Sequence, residues 1–267
     1  MEHLEFFATH PMFTRNEFVI EYTKGGRRSK FTADNLLAQH VAGGRLLRVR
    51  RGLYATVPNG VPSDQVEVDP YLMSTKLAEG AVVAYHAALQ FHGRAYSMWS
   101  RFPYLAWRNQ HSFRFRGMEF FSVLFPAKIR KLKDAGGQIL EQRYAGGVVR
   151  VTTLERTMVD VLDSPTYGGG WEEIWRCLES VEFFDLDAVV AYALRLGSAL
   201  TIARVGFYLE QHREALLVED HYLDRLRKRA PLQPRYLGSK RESGKLVSGW
   251  NLVVPERVLQ RDWEEPA

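Results

Sequence analysis

Residues 31–54 read FTADNLLAQHVAGGRLLRVRRGLY, and this stretch decides the fold of the N-terminal part of the chain. In its first half, apolar residues recur at the spacing of one helical face: Ala33, Leu36, Leu37 and Val41. Thr32 is placed to cap this helix, and Gly43-Gly44 to end it. In the second half, inward-facing apolar residues alternate with outward-facing ones at a period of two on either side of Arg50-Arg51-Gly52, which predicts a hairpin. The inward-facing residues of this hairpin are predicted to be Leu47, Val49, Leu53, Ala55 and Val57.

Two further helices are predicted before this stretch. The first covers residues 4–9 and ends before Pro11, because proline cannot continue a helix. The second begins at Thr14, which has the spacing of a capping box with Glu17, and Gly25-Gly26 stops it. Three helices followed by a hairpin are the elements of a winged helix-turn-helix domain.

Basic residues are concentrated in the same region. The chain carries a net charge of +5 at pH 7, and between residues 24 and 51 the only acidic residue is Asp34. The basic residues of this block are Lys24, Arg27, Arg28, Lys30, Arg45, Arg48, Arg50 and Arg51. From residue 61 onward the sequence is close to neutral. Local positive charge on a small folded unit is expected of a protein that binds the phosphate backbone of double-stranded DNA.

The third helix is predicted to read DNA. Asn35 and Gln39 lie four positions apart on the face opposite Leu37, and both side chains can form paired hydrogen bonds to adenine. Lys30 and Thr32 stand at the start of the helix, where a phosphate group is favoured.

The hairpin is predicted to be the wing of this domain. Arg48 and Arg50 are expected on its outer face and Arg51 in its turn. All three are predicted to contact phosphates or the minor groove.

A break in the sequence divides the chain into two predicted domains. Residues 57–64 read VPNGVPSD and show no hydrophobic period, as a linker should. We therefore predict a winged helix-turn-helix domain at 1–57, a linker at 58–68 and a C-terminal domain at 69–267. Few contacts are expected between the two domains, so that each folds alone.

The C-terminal domain is predicted to be α+β, with a mixed sheet and flanking helices. It opens with two predicted helices, at residues 70–79 and 81–91, and its last third is again helical. The strands between them are predicted at 102–107, 112–116, 119–125 and 148–152.

Three segments resemble the AbiEi antitoxin family of type IV toxin–antitoxin (abortive infection) systems. They are residues 31–37 with 44–54, residues 151–163 (VTTLERTMVDVLD) and residues 243–255 (SGKLVSGWNLVVP). The resemblance implies a winged-helix transcriptional repressor of its own operon, with an operator of inverted repeats. It also implies a C-terminal domain that neutralises a nucleotidyltransferase-like toxin.

Features that would indicate an enzyme are weak in this sequence. Gly168-Gly169-Gly170 is not followed by the Lys-Ser/Thr of a phosphate-binding loop and is interpreted as the entrance to a helix at Trp171. His86 and His92 are six positions apart, and thus on different helical faces rather than at the spacing of a metal pair. No cofactor, metal or catalytic residue is predicted.

A magnesium-dependent nuclease site is a further alternative, with Glu155, Asp160 and Asp163 as ligands. No nearby lysine completes such a site, and Arg156 and Asp160 are expected to pair along a helix surface. A nuclease guided by the winged helix and a stand-alone regulator that senses a small molecule stay open as rivals to the antitoxin. The basic segments 128–133 and 225–229 are interpreted as solvated helix ends, with an extended DNA footprint or an acidic partner as the alternative.

The expected compartment is the cytoplasm. Cys177 is the only cysteine, which excludes an intramolecular disulfide and a zinc cluster built from cysteines. The first residues are acidic where a secretory signal would be basic, and no apolar run approaches the length of a membrane span. We therefore expect no export and no membrane partner.

Overall fold

The N-terminal unit has the element order and sheet of a winged helix. The structure, a computed structural model, describes residues 2–24, 26, 29–132, 137–238, 243–261 and 263. The elements of this unit are α1 (Glu2–Thr9), β1 (Met12–Thr14), α2 (Arg15–Thr23), α3 (Lys30–Ala42), β2 (Leu46–Arg50) and β3 (Leu53–Thr56). The three strands form an antiparallel sheet in the order β1-β3-β2. Strand β1 was not predicted.

Local sequence accounts for the start of α2. The side chain of Thr14 accepts a hydrogen bond from the N–H of Glu17, and the Glu17 carboxylate accepts one from the N–H of Thr14. The predicted capping box is therefore confirmed. Gly25, Arg27 and Arg28 lie outside the described residues.

Packed aromatic rings form the core between the three helices and the small sheet. Phe6 and Phe13 meet edge to face at 5.1 Å between ring centroids, and Phe7 stacks on Phe18 at 5.3 Å. Leu37 of α3 is also buried in this cluster. These contacts fix α3 against the sheet and leave its other face exposed.

A six-stranded mixed sheet forms the centre of the larger unit. Its strands are β4 (Val82–Val83), β5 (Arg101–Ala106), β6 (Phe113–Phe115), β7 (Met118–Leu124), β8 (Ile139–Tyr144) and β9 (Gly147–Thr152). Their order is β6-β7-β5-β4-β9-β8, with β5 parallel to β7, β4 parallel to β9 and the other neighbours antiparallel. The predicted α+β class with a mixed sheet is confirmed.

Helices surround this sheet and a second, smaller one. The helices are α4 (Pro70–Lys76), α5 (Tyr85–Phe91), α6 (Ala127–Lys131), α7 (Leu154–Asp163), α8 (Trp171–Glu179), α9 (Leu186–Leu196), α10 (Ala199–Gln211), α11 (Asp220–Arg227) and α12 (Glu256–Gln260). The last strands, β10 (Arg235–Tyr236), β11 (Gly244–Val247) and β12 (Leu252–Pro255), form a sheet in the order β10-β12-β11. Among the described residues, no helix is both long and apolar enough to cross a membrane.

The two faces of the large sheet bury different clusters. Val82 and Leu105 point to the face covered by α7, α8, α9 and α10, whereas Val83 and Tyr104 point to the opposite face. The opposite face packs against α4 and against the inner face of the wing: Leu47, Val49, Leu53, Ala55 and Val57.

The prediction of few contacts between the two units is therefore wrong. Val49, Leu53, Ala55 and Val57 are buried as predicted and Leu47 is partly buried, but all five pack against the larger unit. The hairpin contacts the three helices instead through Leu46, which was not predicted to face inward. The predicted linker also contributes to this shared core, because Val66 and Val68 are buried in it.

The structure departs from the prediction at two other places: one predicted helix is divided and one strand was not predicted. Residues 81–91 are not one helix: Val82–Val83 is a strand, and α5 begins at Tyr85. Strand β8 was missed, because its residues are largely exposed and carry no clear apolar alternation.

Candidate nucleic-acid interface

Helix α3 begins three residues before its predicted start. Ser29 is the N-cap, and its side-chain oxygen accepts a hydrogen bond of 3.1 Å from the N–H of Thr32. The prediction that Thr32 caps the helix is therefore wrong. Lys30 is the first helical residue, and Lys30 and Thr32 are both exposed at the positive end of the helix dipole.

The exposed face of α3 carries the two predicted base-reading residues. Ala33, Leu37 and His40 are buried beneath the helix, while Asn35 and Gln39 are exposed on the far side. Their neighbours on this face are apolar or short: Phe31, Ala38 and Ala42. Phe31, which was not predicted to contribute, is 74% exposed.

An irregularity in the wing separates its arginines. Arg48 pairs with Tyr54 and Arg50 with Leu53, so Val49 forms a bulge between them. Arg48 is exposed and lies on the same face of the hairpin as Leu46, which is buried against the three helices.

Arg50, in contrast, turns toward the larger unit. Its guanidinium donates a hydrogen bond of 2.9 Å to the Leu77 carbonyl and lies 5.5 Å from the centroid of the Phe113 ring. The prediction that Arg50 lies beside Arg48 on the outer face is wrong, because the bulge reverses its direction.

A groove of about 990 Å³ lies between α3 and the wing. Ala38, Val41 and Ala42 of α3 form one side, and the wing residues 48 and 50–54 form the other. The start of α2 and Lys76 of α4 close its end. Of the residues predicted to bind DNA, the three arginines of the wing line the groove. Lys30, Thr32, Asn35 and Gln39 lie on exposed α3 outside its lining.

The charges along the groove are partly neutralised. Arg15 donates two hydrogen bonds to Asp34, of 2.6 and 2.7 Å, and these bonds lower the pKa of the Asp34 carboxyl below its usual value. Lys76 pairs with Glu17. Burial acts to raise the pKa of the Glu17 carboxyl, but the hydrogen bonds from Lys76 and Thr14 outweigh burial, and the pKa lies below its usual value.

Arg48 and Arg51 are the exposed cations of the groove for which the described part of the chain offers no acidic partner. They are therefore free to meet an anion from outside the molecule. Lys76 could not have been assigned to this groove from sequence, because it comes from the larger unit.

The Arg156–Asp160 pair is buried, and not on a helix surface as predicted. Arg156 is 0% and Asp160 1% exposed, and the guanidinium Nε lies 3.3 Å from the carboxylate. Tyr192 donates a further hydrogen bond of 2.9 Å to Asp160. Burial raises the pKa of Asp160 to about 6. The pair links α7 to α9 inside the core, which gives it a structural role.

Local structure accounts for two of the other candidate segments. Gly168-Gly169-Gly170 leads into α8, which begins at Trp171 as predicted. In the basic segment 225–229, Arg225 pairs with Asp187, and Arg227 pairs with Glu210 and Asp224. In the segment 128–133, Lys133 lies outside the described residues.

Comparison with known proteins supports the fold and gives no information on function. No family model matches the chain, and no curated protein matches it. Its fold resembles that of a mycobacterial protein. The crystal structure of the RV2827C protein from Mycobacterium tuberculosis superposes with a TM-score of 0.53 over 95% of this chain and 90% of that chain, at 16% sequence identity. The resemblance to the AbiEi family stays a prediction.

Proposed function

We propose that this chain is a DNA-binding transcriptional regulator that contacts its operator through α3 and the wing. The observation that carries the proposal is the groove, which has an exposed helix on one side and Arg48 and Arg51 on the other. In winged-helix proteins of this order, the last helix of the motif enters the major groove of DNA. The wing then lies against the neighbouring backbone, where arginines neutralise phosphates.

The side chains on α3 support sequence reading as well as charge attraction. Asn35 and Gln39 are exposed amides one helical turn apart, and each is able to bind the N6 and N7 atoms of adenine. Phe31 offers an apolar surface to a thymine methyl group. Ala38 and Ala42 are short, so the backbone of α3 can approach the bases closely.

The larger unit is the second part of the proposal. Its resemblance to the AbiEi family over residues 151–163 and 243–255 supports a cytoplasmic antitoxin that counteracts a nucleotidyltransferase-like toxin and has no enzymatic activity. Co-expression with the product of the adjacent gene, scored for growth, tests this part. Metal-dependent nicking of DNA by the purified chain would instead favour a nuclease.

DNA reading is tested by comparing operator and random DNA. Asn35→Ala or Gln39→Ala should weaken operator binding by about 1–3 kcal/mol and random DNA binding much less. Asn59→Ala is the matched control, because Asn59 is an exposed amide outside α3 and the groove. Equal losses on both DNAs would show that this face does not read bases.

A further inference from the structure

Three side chains that can bind metal meet in the larger unit, away from the groove. His86 lies on α5, and Glu173 and Cys177 lie one turn apart on α8. His86 Nε2 is 2.8 Å from Glu173 Oε1, and Cys177 Sγ is 3.4 Å from the same oxygen. The potential ligand atoms of all three residues lie within 4.8 Å of one another.

The cluster is shielded from solvent. His86 and Cys177 are 0% exposed, and the side chain of Glu173 is 12% exposed. The Trp99 indole stacks on the His86 ring at 4.1 Å between centroids. A Cβ at Gly169 would lie 2.8 Å from Glu173 Cβ and 2.9 Å from Trp99. The glycine thus leaves the space in which the carboxylate and the indole close over the cluster.

A second set of groups orients the three side chains. The amide nitrogen of Gln90 lies 3.4 Å from the Trp99 carbonyl oxygen, so its amide oxygen faces His86 Nδ1 at 3.2 Å. The Nδ1–H group then donates to Gln90 and directs Nε2 toward Glu173 and Cys177. Metal-binding histidines are usually held in this way through their second nitrogen.

Two backbone groups complete this arrangement. The N–H of Tyr96 donates to Cys177 Sγ at 3.2 Å, and the N–H of Ser97 donates to Glu173 Oε1 at 2.9 Å. Both donors stabilise negative charge on the atoms they touch. Burial and the adjacent Glu173 carboxylate nevertheless raise the pKa of the Cys177 thiol to about 12, so the thiol keeps its proton in the metal-free chain.

We propose that His86, Glu173 and Cys177 bind one Zn²⁺ ion. A set of one imidazole, one carboxylate and one thiolate suits this ion, and three protein ligands leave a fourth position for water. Zinc bond lengths of about 2.0–2.3 Å place tetrahedral ligands about 3.2–3.6 Å apart. The 3.4 Å between Cys177 Sγ and Glu173 Oε1 lies in this range, whereas the 2.8 Å between His86 Nε2 and Glu173 Oε1 lies below it. His86 and Glu173 therefore have to move apart to admit the ion. Binding releases two protons to solvent: that of the Cys177 thiol, and the one that His86 Nε2 and the Glu173 carboxylate share across 2.8 Å.

The test uses the full chain without an affinity tag, freed of metal and titrated with Co²⁺ and with Zn²⁺. We expect one equivalent of Co²⁺ to produce a thiolate-to-cobalt charge-transfer band, and Zn²⁺ to remove it by displacement. Cys177 is the only cysteine, so the band in the natural chain identifies this site without any substitution. Stoichiometric binding with no such band, or no binding at micromolar metal, would overturn the proposal.

Substitutions sharpen the assignment. Gln90→Ala should weaken Co²⁺ binding about 10–100-fold, because it releases the orienting bond to His86. His111→Gln, a change at an exposed histidine, should leave it unchanged. Equal effects of the two substitutions would contradict a site at His86. The readout is metal binding alone, so its outcome does not depend on DNA binding.

Discussion

The guanidinium of Arg50 donates a hydrogen bond of 2.9 Å to the carbonyl oxygen of Leu77 and so links the wing to the larger unit. Leu77 follows the last residue of α4, and Lys76 beside it pairs with Glu17 of α2. The end of α4 therefore contacts two elements of the winged helix at once. The wing is thus held in place by the larger unit, and Arg48 and Arg51 are left for an outside partner.

The three arginines of the wing should behave differently when each is replaced by alanine. Arg48→Ala and Arg51→Ala should each reduce the salt dependence of DNA binding by about one unit of slope, because each removes a phosphate contact. Arg50→Ala should leave the slope unchanged and lower the free energy of unfolding by about 1–2 kcal/mol, through the lost bond to Leu77. Binding titrations at several salt concentrations and urea unfolding measure the two effects. An equal loss of slope in all three variants would place Arg50 at the DNA.

Local signals in the sequence were sufficient for the elements of the winged helix. The capping box at Thr14 and the change from helical to alternating spacing after Gly44 identify α2, α3 and the hairpin correctly. Burial of Leu53 and Ala55 also follows from the alternation. The alternation does not predict which element covers that face, because it shows only that the face is buried.

Contacts between distant residues account for what the sequence did not show. His86 and Glu173 are 87 positions apart, and neither lies in a recognisable metal motif. The sequence therefore relates His86 only to His92, through their spacing of six positions. The reversal of Arg50 depends in the same way on Leu77 and Phe113, which no local pattern connects to the wing. Both candidate sites therefore depend on contacts between residues that are far apart in the sequence.

Gly206 should not tolerate a side chain. It lies in α10, and a Cβ there would come within 2.2 Å of the buried Trp250 ring. Gly206→Ala should therefore lower the free energy of unfolding by about 1–3 kcal/mol or more, because Trp250 has to move within a packed core. Gly249→Ala is the matched control, since a Cβ at that position meets nothing within 4 Å. Urea denaturation compares the two, and equal stabilities would show that the core around Trp250 is loose.

Acid should weaken the N-terminal unit through His40. This histidine is buried under α3, its Nε2 has no hydrogen-bond partner in the described part of the chain, and its ring meets Phe7 at 4.9 Å. Burial lowers the pKa of His40 below its ordinary value of 6.5, with smaller contributions from His3 and Arg45. The unfolded chain then binds a proton at a higher pH than the folded chain. Stability from this group is present above pH 6.5 and is lost as the pH falls below it.

The measurement is unfolding, followed by a probe in the N-terminal unit, across that pH range. His40→Gln should remove part of the acid sensitivity, and His111→Gln, at an exposed position, should not. An unchanged pH dependence in the His40 variant would show that another group controls the acid response.

A fragment that begins at Asp69 should be much less stable than the full chain. The sheet face that includes Val83 and Tyr104 packs against the inner face of the wing and against Val66 and Val68. Truncation would expose this apolar face to water, and exposed apolar surface of that kind promotes aggregation. In the full chain, Leu53→Ala should destabilise both units together, by about 2–5 kcal/mol, because Leu53 is buried in their shared core.

Unfolding of the full chain, monitored separately in each unit, should give coincident transitions that shift together in the Leu53 variant. Separate transitions, with only the N-terminal one displaced, would restore the picture of two independent domains.

The result also determines how toxin protection is to be measured. A fragment that fails to protect cells is informative about the DNA-binding unit only if it is folded, and the shared core predicts that it is not. Leu53→Ala is less suitable than Arg48→Ala for separating the two activities, because Arg48 is exposed and its loss leaves the core intact. If the Arg48 variant loses operator binding and still protects cells from a toxin expressed independently, protection belongs to the larger unit.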